Sequence, residues 1–543
     1  MTAANEGSIA TILSGGGECS ECFNGGYFRI DAEGYGTSGL SANLVTGGDI
    51  TLSAQSGATI SAASGQIDLY AGTSYGSAET SEGVGVTAQG GTIAIDAIGG
   101  TILTGIYADV SGQGGDADSG GGSGTGGTIN VRVLESGALV NSLFASASGS
   151  GGYSNVSGDG GDGTGGRLTF QSDEAASFTN FGLEFYGDGQ GGTASSGTGG
   201  DGTGGSAQVD ILGGKQDWSE IYLSGVGRGG YGYGEGGLTG SAYGSVDGLN
   251  LHIGGGADLH VSYVGIDARA SAGADGDGNE AIGGTASLLV DQLATLTADS
   301  IGINASGSLA FEERSSDSFN TTPNAAGGSA SAVVNTGTIR TPFLEVIANG
   351  MTGAGLFGAG TAKGGSATVG ASDGGLIDII DGGFDGALTE AAISAFGGFT
   401  IEAQGLGAEG PFAAHATGGT ATLYTAGGSI NSISDITVNA DATAGEFANS
   451  FAYDGPANGF NATGGTASVE MRTGGSGGGS IETPSLTVTA QGLPNGNFGE
   501  FPAVQGTAGI GQGGNATLAV AQGALTTGDI IIDATGFGGL AAE

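Results

Sequence analysis

A glycine pair, a small hydroxyl residue and an alternating strand recur about ten times along this chain, each copy separated from the next by a glycine-rich gap. Repetition on this scale leaves few folds open. GGTASLLV begins at Gly283, GGSASAVV at Gly327, GGSATV at Gly364, GGTATLY at Gly418, GGTASVEM at Gly464 and GGNATLAV at Gly513. Looser copies begin at Gly90, Gly126, Gly165 and Gly204, and a degenerate one is expected between Gly240 and Ala242. The mean step between copies is about 42 residues. The steps are unequal, so one part of each unit tolerates insertion.

Each unit has a second fixed part, an L-x-V-x-A run. It reads Leu344, Val346, Ala348 in one copy, and then Phe399, Ile401, Ala403, then Ile436, Val438, Ala440, then Leu486, Val488, Ala490 and finally Ile530, Ile532, Ala534. Earlier units give Leu143, Ala145, Ala147 and Ile301, Ile303, Ala305. Strict alternation puts these apolar residues on one face of a strand. A bridge containing Ile339 and Pro342, or Ile481 and Pro484, links the two strands, with proline at a corner. A unit is therefore two or three short strands joined by bends.

One unit has too few apolar residues to bury its own inner face. Stacking the units solves this, because each strand then pairs with its copy about 4.8 Å away and the small apolar residues line a shared interior. An all-β chain folded as a parallel β-solenoid follows. Antiparallel sandwiches need hairpins and unequal strands, whereas the same two strand types recur here in constant order. Helix is excluded by 124 glycines in 543 residues and by the absence of a sustained 3.6-residue period. The insertions are expected in glycine-rich loops budding from one edge, for example residues 112–127 and 187–205, and the purest of these are expected to be mobile. Residues 1–85 read as less regular opening coils, and residues 86–543 as about eleven units that stop inside a repeat, the pattern of a piece of a longer protein.

Lys and Arg total 10 against 54 Asp and Glu, a net charge of −44, and the only lysines are Lys215 and Lys363. Phosphate neutralisation needs clustered cations, so nucleic acid is not an expected partner. Cys19 and Cys22 form a C-x-x-C with neither a thioredoxin-like setting nor two further zinc ligands, and read as a local pair in a turn. Neither a secretory signal nor an apolar run of membrane-spanning length is visible.

GGTASLLV, GGTATLY and GGDGTGG segments alternating with L-x-V-x-A strands resemble the repeat regions of large bacterial surface exoproteins, the filamentous-haemagglutinin-like adhesins and autotransporter passengers. The resemblance runs from about Gly47 onward and rests on repeat grammar. The asparagine-proline motifs of that family's secretion domain are not found near Met1, and no barrel follows Glu543. The resemblance implies a right-handed β-helix, export to the bacterial cell surface, and a non-enzymatic role in adhesion, biofilm or a surface filament. Expected partners are host or neighbouring-cell surfaces and their glycans, with further copies of the chain meeting end to end or laterally.

Sharper chemistry has several candidates. The acidic glycine loops offer Asp116, Asp118, Asp159, Asp162, Asp275 and Asp277 as weak calcium ligands, although the residues around them depart from calcium-binding β-roll and EF-hand spacing. Loosely held calcium is the expectation, with no other cofactor. A second candidate is the hydroxyl-x-hydroxyl pattern of Thr285 and Ser287, repeated at Thr420 and Thr422, which resembles the ice-binding faces of β-solenoid antifreeze proteins. Its plainer role is cross-strand pairing. Third come loop aromatics, Tyr231, Tyr233, Phe447, Phe451, Tyr453 and Phe460, together with Phe357, Phe498 and Phe501. These either stack on sugars or fold back to cover the solenoid flank, and covering is preferred. A carbohydrate-active β-helix enzyme is the remaining alternative, but His252, His260 and His415 are scattered with no cationic cluster.

Overall fold

Glycine and alanine sit where backbones must touch, and branched residues sit where space must be filled. The computed structural model describes residues 8–14, 28–36, 44–62, 65–75, 83–233, 238–273, 280–310, 324–352, 360–380, 398–407, 415–445, 460–475, 477–494 and 509–537. Most strands lie parallel between their copies in the preceding and following coils. Thr285–Asp291, for example, pairs with Leu249–Gly254 on one side and Ser329–Asn335 on the other. The expected parallel β-solenoid is therefore the fold, and a local antiparallel turn at Thr473 and Gly478 interrupts it only slightly.

A coil has four parts. In the coil that starts at Glu280 they are a returning arm (Glu280–Ile282), the glycine-pair strand (Thr285–Asp291), the L-x-V-x-A strand (Thr295–Asn304) and an outgoing arm (Gly307–Ala310). The outgoing and returning arms each build a twelve-stranded parallel sheet. Strands of the opening segment join the same stack, since Ser8–Ser14 pairs with Asp49–Gln55 and that strand with Thr92–Ile98. At about 4.8 Å per strand, twelve rungs span roughly 53 Å.

The core lies between the glycine-pair and L-x-V-x-A strands. Ile129, Val131 and Val133 stack in register on Ile93, Ile95 and Ala97, and all six are fully buried. Columns of this kind run on through Ala286, Leu288 and Val290 to Ala467 and Val469. In the last described rung the L-x-V-x-A column that passes through Leu486 and Val488 is open, with Ile530 47% and Ile532 46% exposed. Trp218 is buried against Phe170, Phe178 and Phe181, with ring centroids 4.6 to 5.9 Å away.

The two sequence motifs meet at the waist of each coil. The second glycine of the pair donates its N–H to the carbonyl that ends the preceding L-x-V-x-A run: Gly284 to Ala268 at 2.7 Å, Gly328 to Ala305 at 2.7 Å, Gly365 to Ala348 at 2.6 Å and Gly465 to Ala440 at 2.8 Å. A Cβ on the first glycine would fall on the corresponding backbone oxygen of its own coil, 1.8 Å from Ala305 O at Gly283 and 1.9 Å from Ala440 O at Gly418. The first position of the pair is thus a pinch point where only glycine fits. Where the degenerate copy was expected near Gly240–Ala242, the pinch is made by Gly244 and Ser245 instead. Three further residues precede Leu249, which hid the motif.

Beyond the waist, the glycine-rich gaps correct an expectation. They do leave from one edge, between the outgoing and returning arms, but the purest runs are ordered rungs rather than mobile loops. Gly122 N–H bonds Gly115 O across the two arms at 2.8 Å, and Gly152 N–H bonds back to Gly122 O at 2.8 Å. The same zigzag continues through Gly161, Gly192, Gly200, Gly230 and Gly240. A Cβ at Gly112 would lie 1.9 Å from Thr125 O, so glycine here permits two backbones to pack with no side chain between them. Composition suggested freedom, but the hydrogen bonds it permits remove that freedom.

Candidate functional site

Interior positions are nearly invariant in chemistry, so the variety that could carry recognition is displayed outward. Four consecutive coils share a G-x-G-G-x frame at residues 112–116, 149–153, 189–193 and 227–231. Inside this segment the outward period changes from two to about three residues: Gln113, Asp116 and Ser119 point outward in the first coil, and Gln190, Thr193 and Ser196 in the third. Because Ala117, Ser154, Ala194 and Gly232 bridge in register, the frames stack into two outward columns. One column is Gln113, Ser150, Gln190 and Arg228, and the other is Asp116, Tyr153, Thr193 and Tyr231. Between them the glycines form the floor of a shallow groove of about 200 Å³. Tyr231 was anticipated from the sequence, and Tyr153, Ser150 and Gln190 were not. The G-x-G-G-x spacing was the signal that could have found them.

Tyr233, 58% exposed, lies 6.4 Å from Tyr231 between ring centroids, just outside this groove. Phe460 sits elsewhere, half-buried against Ala416, Ala442, Ala444 and Ala462 and edge-on to His415, which is the covering role. Phe357, Phe447, Phe451, Tyr453, Phe498 and Phe501 lie outside the described residues, as do Asp275, Asp277, Cys19 and Cys22.

The remaining acidic candidates are joined to the backbone of the next coil. Asp116 Oδ1 accepts the Tyr153 N–H at 2.8 Å, Asp159 Oδ1 the Thr198 N–H at 2.8 Å, and Asp162 Oδ1 the Asp201 N–H at 2.9 Å. Burial raises the Asp201 carboxyl above its ordinary value, the hydrogen bond from Ser241 opposes this, and the charge of Asp162 adds to the rise. The backbone carbonyl of Asp118 accepts N–H groups from Val156 and Ser157. Among the described residues no three His, Cys, Asp or Glu side chains converge as a metal site.

The hydroxyl pattern stacks as the sequence suggested. Thr285, Ser329, Ser366, Thr420 and Thr466 form one outward column, and Ser287, Ser331, Thr368 and Thr422 the next, which continues to a buried Ser468. Part of their hydrogen bonding is spent between coils, as in Ser468 to Thr422 at 3.3 Å and Ser287 to Asn250 at 2.6 Å. On the L-x-V-x-A side runs an aromatic strip that composition did not reveal. Tyr70, Tyr107, Phe144, Tyr186 and Tyr222 follow one another at centroid distances of 5.1 to 5.6 Å. Tyr107 and Phe144 are stacked with planes 6° apart, so their faces are occupied by one another. Burial and the Glu184 carboxylate push the Tyr186 phenol up to about 12.

Of the histidines, His252 is held on both ring nitrogens, Nδ1 3.2 Å from Asp210 and Nε2 2.9 Å from Asp291, across three coils. His260 lies 3.9 Å from Asp258, and His415 Nδ1 accepts the Asn461 N–H. Most arginines are likewise paired, Arg132 with Asp96 at 2.7 Å and Arg228 with Asp188 at 2.8 Å. The described residues contain no helix long and apolar enough to cross a membrane. Comparison with protein-family models, curated proteins and solved structures returned no match.

Proposed function

We propose that this chain is a non-enzymatic structural and adhesive solenoid segment of a secreted or surface-anchored bacterial protein. The observation that carries the reading is the division of labour within each coil: a pinched, hydrogen-bonded frame repeats with little change, while the outward side chains vary from coil to coil. A rigid stack that displays varied side chains in fixed columns suits a stalk or contact surface. The repeat grammar shared with bacterial surface exoproteins points the same way. Beads coated with the folded chain should attach to host or neighbouring bacterial cells more than beads coated with the heat-denatured chain, and equal attachment would overturn the reading.

One observation favours a second reading, an ice-binding face: two hydroxyl columns in register, one over five coils from Thr285 to Thr466 and the other over six from Ser287 to Thr517. Inhibition of ice recrystallisation by the folded chain, lost on Thr422→Tyr substitution, would establish it. No effect on ice growth would remove it.

A further inference from the structure

The groove on the outgoing arm deepens the adhesive reading, on which this inference rests. We propose that it binds a neutral, extended glycan chain laid along the stack axis across four coils. Three observations select that ligand. First, the floor cannot take a peptide by strand addition, because its amides are already used: Gly114 N–H bonds Ser150 O, Gly151 N–H bonds Gln190 O and Gly191 N–H bonds Arg228 O, each at 2.8 Å. Recognition must come from side chains on the two rims.

Second, those rims carry the groups that sugars use. Tyr153 and Tyr231 stand two coils apart on one rim, roughly 10 Å at the strand spacing, a separation close to the length of a disaccharide unit. Ser150 and Gln190 face them across the glycine floor and supply hydroxyl and amide partners. The Tyr153 hydroxyl is 2.5 Å from Ser195 Oγ, which fixes that side chain. Glycine at the floor lets a chain lie close to the backbone, as two side-chain rows two residues apart would not allow. Third, a net charge of −44 opposes polyanions, and Arg228 on the far rim is already paired with Asp188. Neutral sugars escape that repulsion.

The test is calorimetric titration of the whole chain with cellohexaose, laminarihexaose, chitohexaose and maltohexaose, each separately. At least one is expected to bind, and the Tyr153→Ala/Tyr231→Ala double variant is expected to lose at least tenfold in affinity with its circular dichroism unchanged. Thr193→Arg, which fills the middle of the groove and leaves both rings in place, should lower affinity to a similar degree. Binding of none of the four sugars, or equal affinity in both variants and the parent, overturns the proposal. Bead attachment is scored separately from free-sugar binding, so the groove and the adhesive reading fail independently.

Discussion

A methyl group at Gly418 would meet the Ala440 carbonyl oxygen at 1.9 Å, and neither partner can move without breaking the bond from Gly465 to the same carbonyl. Gly418→Ala is therefore expected to cost about 3 kcal/mol, read as a lower urea midpoint and faster hydrogen exchange in Thr420–Ala426. Gly57 is the contrasting case. It has φ of 81° and nothing within 4 Å of its missing Cβ, so alanine there carries only the smaller left-handed backbone penalty. His252 illustrates a charge effect at the same scale. Burial alone would lower its pKa, but the hydrogen bonds and charges of Asp291 and Asp210 outweigh burial and raise it. A raised histidine stabilises the fold fully below its unfolded value, about 6.5, and the contribution is lost as pH rises through the folded value. The urea midpoint of the parent should fall more than that of His252→Gln between about pH 5.5 and about pH 8.5. Parallel behaviour of the two would show that the clamp contributes nothing.

In six coils, the chain turns between the glycine-pair strand and the strand after it on two consecutive left-handed residues. They are Ser56 and Gly57, Glu135 and Ser136, Gly213 and Gly214, Gly255 and Gly256, Gln292 and Leu293, and Asp373 and Gly374. The turn closes with a bond such as Ala294 N–H to Asp291 O at 2.9 Å. This is the geometry that favours glycine and asparagine. Leu293, with φ of 63° and 79% of its surface exposed, is the misfit. Leu293→Gly should stabilise the protein by about 1 kcal/mol, measured as a higher midpoint in urea. Elements of this kind show what a single sequence reveals. The period-two runs fixed the two main strands and their inward faces, because alternation leaves one apolar set to bury. The glycine gaps misled, since backbone-to-backbone bonds between arms depend on pairing at a distance and leave no side-chain pattern. The groove shared that fate: its spacing is written in G-x-G-G-x, but the change of outward period becomes visible only once the coils are stacked. The aromatic strip was present in the variable positions of L-x-V-x-A, as Tyr107 and Phe144 show, yet nothing local links residues a whole coil apart.

For the whole molecule, stacking places like charges in neighbouring coils. Burial and the Glu402 carboxylate both raise the Glu345 carboxyl above its ordinary value, and −44 charges over one chain extend that repulsion throughout. Added sodium chloride should therefore raise the unfolding temperature at neutral pH, by more than it does near pH 4, where the carboxylates are partly protonated. Everything depends on successive copies lying one strand apart in a single column. Asn130, Ser287, Thr368 and Thr422 belong to one such column, with Ser287, Thr368 and Thr422 four, six and seven coils beyond Asn130. Pulsed electron spin resonance between a label at Asn130→Cys and a second at Ser287→Cys, Thr368→Cys or Thr422→Cys, in a background with Cys19 and Cys22 replaced by serine, reads that spacing directly. The expected separations are roughly 19, 29 and 34 Å, rising by one strand spacing per coil crossed. Distances that do not increase with the number of coils would contradict the stacked arrangement.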